Sequence, residues 1–220
     1  MSDMLLTIQT QTKIFSPPVE DGIQIEWQRT GAAGKLTFTT IKVPNVDMSF
    51  NEGDVVRFYY KDKPVFLGFV FTKQRDREGR INVTCYDQLR YLKNKYTYVF
   101  ENKTATQITQ ALCNDFNLKT GSMDNTSYVI PSLVEENTAA LDIILTTLEE
   151  TLMNTGNMFV LYDDFGEIKV KDCKNMVSTS LIYEDSAENF DYSSSIDKET
   201  YNNIILYSFI LYNILESSIG

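Results

Sequence analysis

The stretch GDVVRFYYKDKPVFLGFVFTKQRDREGRINVTCYD, residues Gly53 to Asp87, constrains the fold more than any other part of the chain. Two polar turns, KDKP and RDREGR, divide it into three runs, and side chains along each run must alternate in direction as strand geometry requires. Val55, Arg57 and Tyr59 then share one face and Val56, Phe58 and Tyr60 the other; Val65, Leu67, Phe69 and Phe71 oppose Phe66, Gly68 and Val70. Neither face is polar, so each must be covered: one by a barrel core, the other by more of this chain or by another subunit. Gly68, in mid-strand, marks a bulge or a close backbone approach of the kind barrels use where they bend. Short strands at this spacing predict a small barrel or curled sheet.

The β signal extends from Leu5 to about Tyr98. IQIEWQ (23–28) and KLTFTTIK (35–42) alternate apolar with polar and form an expected hairpin across RTGAAG. Near Glu101 the character changes. Thr104 with Gln107 three residues later is a capping box, followed by Ile108, Ala111, Leu112 and Phe116 at helical spacing. A second helix carries Leu141, Ile144, Leu145, Leu148 and Leu152 on one stripe and stops at Gly156. NMFVLYDDFGEIKVKD then reads as a hairpin turning at Asp163, Asp164 and Gly166. From Leu181 onward the pattern is β again. The expectation is an α+β fold: a split, tube-like β-barrel (1–98) interrupted by a helix, helix, hairpin unit (99–178), with residues 179–220 beginning a second barrel.

Thirty acidic against twenty basic residues give a net charge of −10, a field that repels nucleic acid and anionic membranes. No specific nucleic-acid partner and no membrane anchor are expected: the run Ile204 to Leu215, interrupted by Ser208 and Asn213, is shorter than the roughly 18 residues of a span. The opening MSDMLLTIQTQTK lacks the basic and apolar regions of a secretory signal, which predicts a protein made and kept, at least initially, in a cytoplasm. Cys85, Cys113 and Cys173 are odd in number and far apart, as buried free thiols would be.

The chain contains no histidine, which removes the commonest general base and zinc ligand, and no Gly-rich phosphate loop occurs. No cofactor or metal is expected. A carboxylate pair for glycoside hydrolysis would have to come from Asp163, Asp164 and Glu167, which sit in a turn, or from Glu149 and Glu150 on a helix. The basic residues Lys73, Arg75, Arg77 and Arg80 are interleaved with Asp76 and Glu78, the pattern of a solvated hairpin tip. The aromatics of the opening stretch could form a stacking platform, but the charge disfavours it, leaving core or subunit interface.

The order of GDVVRFYY, KPVFLGFVFTKQR, INVTCYDQLRYL, TATQITQALCNDFNL, the second helix with its hairpin, and IDKETYNNIIL resembles the baseplate hub proteins of contractile phage tails, XkdQ/YqbQ-like and more distantly related to the late control protein D family. In such hubs a tube-like barrel is interrupted by α/β insertions, and three copies form a ring that adapts the sixfold tail tube to the threefold central spike. The resemblance implies a non-enzymatic virion component of a phage or bacteriocin-like tail, a homotrimer whose partners are the tail tube protein, central spike, baseplate wedge proteins and tape measure. Its matching positions are structural or interfacial: Gly53 and Asp54 opening a strand, Phe66 and Gly68 on the F-x-G strand, Asp87 and Leu92 in the turn toward the insertion, with Phe58, Tyr60, Phe69 and Phe71 beside them. The segment Asp197 to Asn202 matches the return to the second barrel, but this chain then ends in YSFILYNILESSIG where relatives continue, as a truncated or shortened relative would. A tail-associated cell-wall hydrolase and an OB-like module for sugar or single strands are the alternatives.

Overall fold

A computed structural model describes residues 3–28, 31–42 and 47–177. The first seven strands are β1 (Met4–Gln9), β2 (Ile14–Phe15), β3 (Val19–Glu26), β4 (Lys35–Ile41), β5 (Val55–Tyr60), β6 (Lys63–Arg75) and β7 (Arg80–Tyr86). They form one antiparallel sheet in the order β2-β1-β5-β6-β7-β4-β3. Its two outer strands, β2 and β3, are consecutive in the chain and joined only by Ser16, Pro17 and Pro18. Three residues reach roughly 10 Å, so the sheet has to curl until its edges approach. Met4 and Leu6 of β1 and Val19 and Ile23 of β3 accordingly wall one cavity of about 330 Å³. Pro17 and Pro18 have no N–H to offer at this seam, which leaves a curled half-barrel rather than a closed ladder.

Alternation sorts the meander residues as their spacing predicts. Val56, Phe58, Phe66, Val70, Val83 and Cys85 point into the barrel and join Leu6, Ile8, Leu36 and Phe38 in one core. The opposite face is half-buried, partly covered by later residues of the chain. Tyr59 meets Phe165 edge-on at 5.2 Å, Phe69 meets Tyr91 at 5.6 Å, and Phe71 contacts Tyr86 and Tyr91 at 5.3 and 5.8 Å. Leu67 packs over Gly166. Full burial of such a side chain contributes about 1.5–3 kcal/mol, so these half-buried ones contribute a fraction of that, to which the edge-on ring pairs add. The apolar outer face of the meander is thus in part an internal contact, made by Tyr59, Leu67, Phe69 and Phe71.

A short 3-10 turn, Gln88–Lys93, leads out of the barrel, with Asp87 capping it through a hydrogen bond from the Leu89 N–H. Beyond it β8 (Lys95–Thr104) pairs with β10 (Val129–Ala139) in a two-stranded ribbon, and each strand runs directly into a helix: α1 (Ala105–Asp115) and α2 (Ala140–Thr155). The last sheet has the order β11 (Phe159–Asp163), β12 (Ile168–Asp172), β9 (Thr120–Met123), with β12 and β9 parallel. Leu89, Leu92, Ile108, Leu112, Ile143, Ile144, Leu161, Ile168 and Val170 fill a second core between helices and sheet, against which Ala33 of the barrel also packs. The 98/99 division expected from sequence falls inside β8, and the return segment from Leu181 lies outside the described residues.

The capping box forms as its residues require: the Thr104 hydroxyl accepts from the Gln107 N–H and the Gln107 side chain accepts from the Thr104 N–H. The buried face of α2 differs from the expected leucine stripe. Leu141, Ile143, Ile144, Thr147, Leu148 and Thr151 are buried, while Leu145 and Leu152 lie at the rim. Thr147 and Thr151 donate to the Ile144 and Thr147 carbonyls, so their hydroxyls need no water and they pack as small β-branched residues. Gly156 ends the helix in the left-handed region at φ +71° with open space around it. Gly156→Ala should therefore cost about 1 kcal/mol from backbone strain alone, read as a lower urea midpoint at unchanged slope.

Candidate functional site

The junction between barrel and insertion is built around Asp87, a side chain only 3% exposed. Its position at the end of β7 points its carboxyl at the start of β4, where Gly34 N–H donates to Oδ2 at 2.7 Å, while Leu89 N–H donates to Oδ1 at 3.0 Å. The Asp87 N–H returns a bond to the Gly34 carbonyl at 3.1 Å. There is no room for a side chain at residue 34, since a Cβ there would sit 2.6 Å from Asp87 Oδ2 and 2.9 Å from the Trp27 ring.

The next residue extends the link into the insertion. Gln88 donates from Nε2 to Asp163 Oδ2 at 3.1 Å and accepts from the Lys119 N–H at 3.1 Å, and Asp163 Oδ1 accepts from the Gly166 N–H at 2.6 Å. A continuous run of hydrogen bonds therefore connects β4, the 3-10 turn, the approach to β9 and the β11–β12 turn. Burial raises the pKa of Asp87 to about 7, with the charge of Asp163 adding to the effect and the Gly34 and Leu89 N–H groups opposing it. Burial likewise raises that of Asp163. This arrangement ties the insertion to the barrel through hydrogen bonds.

The other residues singled out from sequence divide among several places. Phe58 and Phe66 lie in the barrel core, and Phe69 and Phe71 lie on the outer face beneath Tyr91. Gly53 bonds from its N–H to the Val70 carbonyl, and Asp54 accepts from the Asn51 N–H and, through its carbonyl, from the Val70 N–H. Both hold the loop that enters β5. Gly68 is buried in β6 beside the Tyr86 carbonyl of the neighbouring β7, and Tyr60 is 44% exposed at the end of β5. The structure therefore does not bring these nine residues into one surface; they serve the core, the β5 entry and the junction.

The candidate carboxylates are tied into the hairpin. Asp164 pairs with Lys169 at 2.6 Å and Glu167 with Lys119 at 2.8 Å. Asp163 departs from the expected solvated turn residue, because its carboxyl turns inward toward Gln88. In the basic tip Arg80 pairs with Glu78 at 2.9 Å and Lys73 donates to the Phe50 carbonyl at 2.6 Å. Cys85 and Cys113 are buried thiols whose pKa burial pushes up to about 12, and Cys173 is half-buried. Among the described residues no group of acidic or cysteine side chains has a metal-ligand arrangement, and no helix is long and apolar enough to cross a membrane.

Sequence reasoning missed Gln88 and Gly34, whose roles depend on partners tens of residues away. It also missed the β8–β10 ribbon. The only local signal for the junction was Asp87 preceding a short polar-apolar turn, the pattern of a cap.

Comparison with known proteins places this geometry. The YQBQ-like family model matches residues 23–209. The chain is 34% identical over 184 residues to the protein YqbQ of Bacillus subtilis strain 168, covering 81% of this chain and 56% of that protein. It is 36% identical over 157 residues to XkdQ of the phage-like element PBSX of the same strain, covering 70% and 48%. The chain thus spans about half the length of the curated relatives it matches. Among solved structures, the 43 kDa tail protein of prophage MuSo2 from Shewanella oneidensis superposes with a TM-score of 0.60 at 14% identity, over 76% of this chain and 53% of that one. A tail protein from Neisseria meningitidis MC58 gives 0.55 at 11%, over 76% and 50%. At these identities the likeness is one of fold, and that fold is α+β with a curled half-barrel. The sequence match across most of the chain carries the further conclusion that this protein belongs to the YqbQ-like family.

Proposed function

We propose that the protein is a structural, non-enzymatic component of a contractile phage tail or tail-like particle, a baseplate hub subunit that assembles as a homotrimer. The observation that carries this reading is the fold shared with the MuSo2 tail protein across three quarters of the chain, joined to kinship with a protein of a phage-like element. The ring of three would adapt the sixfold tail tube to the threefold spike, with wedge proteins outside and the tape measure above. It would assemble in the bacterial cytoplasm and end in the baseplate.

The junction supports a mechanical role. Covering the meander with the insertion and locking both through Asp87 and Gln88 yields one stiff body, suited to transmitting load between neighbours. Light scattering on the full chain should give a mass three times 25.2 kDa, and a monomer at every concentration would overturn the trimeric ring.

A further inference from the structure

Strand β11 is the outer strand of its sheet, paired only with β12 among the described residues. The bonds at its ends fix which groups face inward. Cys173 N–H donates to the Met158 carbonyl at 2.9 Å, and Asp164 and Glu167 exchange bonds of 2.8 and 3.2 Å. With the antiparallel register, Val160 and Tyr162 therefore turn their main-chain groups toward β12, while Phe159 and Leu161 turn theirs away. The far side of β12 agrees, since Ile168 and Val170 bond outward to Lys119 and Asp124. Among the described residues no hydrogen bond reaches the outward N–H and C=O of Phe159 or Leu161.

This edge lies along a groove. A hollow of about 540 Å³ bounded by Trp27, Asp87 and Tyr162 and a second of about 350 Å³ bounded by Leu145, Leu148 and Leu152 share Val160 and Leu161 as walls. A strand laid against β11 would bond the outward main-chain groups of Phe159 and Leu161, which have no partner among the described residues, and direct its side chains alternately to the two faces, as added strands do. Of the charged described residues of both hollows, Asp87 and Asp163 are held by internal hydrogen bonds, while Glu149 stands exposed on α2, so a basic residue at the Glu149 end of that strand fits better than an acidic one.

We propose that the outer edge of β11, unpaired among the described residues, is a docking groove for an extended segment of another polypeptide, apolar at alternate positions and ending in a basic residue. The proposal is independent of the trimeric ring, since a monomer could bind such a strand and a trimer could leave the groove open. Trp27 is the only tryptophan in the chain and lines the groove, so its emission reports occupancy.

The full chain is titrated with the peptide acetyl-Lys-Val-Thr-Val-Thr-Val-Lys-amide, with a twin N-methylated at alternate amides, and with a twin ending in Glu. The lysine peptide should shift Trp27 emission to shorter wavelength and saturate, the N-methylated twin should bind about tenfold more weakly or worse, and the Glu-ended twin should fall between them. Glu149→Lys, on an exposed position of α2, should weaken the lysine peptide severalfold and strengthen the Glu-ended one. Equal binding of the N-methylated twin, or no shift with any peptide at millimolar concentration, would overturn the proposal. A shift that grows with protein concentration in the absence of peptide would assign the edge to a second copy of this chain and overturn it as well.

Discussion

Gly68→Val is expected to destabilise the protein by about 3 kcal/mol or more. A Cβ at residue 68 would stand 2.5 Å from the Tyr86 carbonyl oxygen and 2.7 Å from the Phe66 ring. The oxygen belongs to the neighbouring strand, so it cannot swing aside as a flexible side chain could; β6 and β7 would have to separate. That separation would disturb the Phe69 and Tyr86 pairing and the outer contacts of Phe69 and Phe71 with Tyr91 together. For a chain of this size the loss corresponds to a fall in Tm of roughly 6–12 °C, measurable by calorimetry. A change within 0.5 kcal/mol, the order of a neutral surface substitution, would show that the β6–β7 pairing is looser than its geometry implies.

Asp87→Ala should cost about 3–5 kcal/mol at pH 5, because it strands the N–H groups of Gly34 and Leu89 in a buried site. The pH dependence follows from the same burial. The native pKa of Asp87 is raised to about 7 from the ordinary carboxyl value of 3.8, so the folded state binds the proton more tightly than the unfolded chain. Its contribution is fully present below about pH 4 and is lost as pH rises toward 7. Asp163, also raised, acts in the same direction. Asp124 and Glu167, which are lowered, act in the opposite direction and only at more acidic pH. The wild-type protein should therefore be more stable at pH 5 than at pH 8, by on the order of a few kcal/mol. Asp87→Asn should flatten most of that slope, since an amide does not titrate, while losing one of the two accepted bonds. Urea midpoints across this range check both statements, and a wild type equally stable at pH 5 and 8 would contradict them.

Much of the barrel was legible in the residues. Strict alternation between turn-rich segments fixes β3 to β7 locally, and apolar residues on both faces of the meander state that something must cover the outside. What covers it could not be read, because Phe165, Gly166 and Tyr91 reach the meander only through tertiary packing. The capping box and Gly156 are local chemistry and mark their helix ends directly. The strand β10 escapes such reading: VIPSLVEENTA contains a proline and two adjacent glutamates, and only one of its faces is covered. The face of α2 was misplaced because two threonines replace leucines in the buried stripe, with hydroxyls satisfied inside the helix. Asp87 was legible as a turn residue, but not as the acceptor for Gly34, which is 53 positions away.

The central claim is that this YqbQ-like chain is built into the end of a tail. Gold-labelled antibody against the purified protein, applied to tails or tail-like particles from the cells that express it and imaged by electron microscopy, tests it most directly. Label confined to the tail tip at the baseplate is the predicted result. Label along the sheath or tube, or intact particles that never bind the antibody, would contradict it.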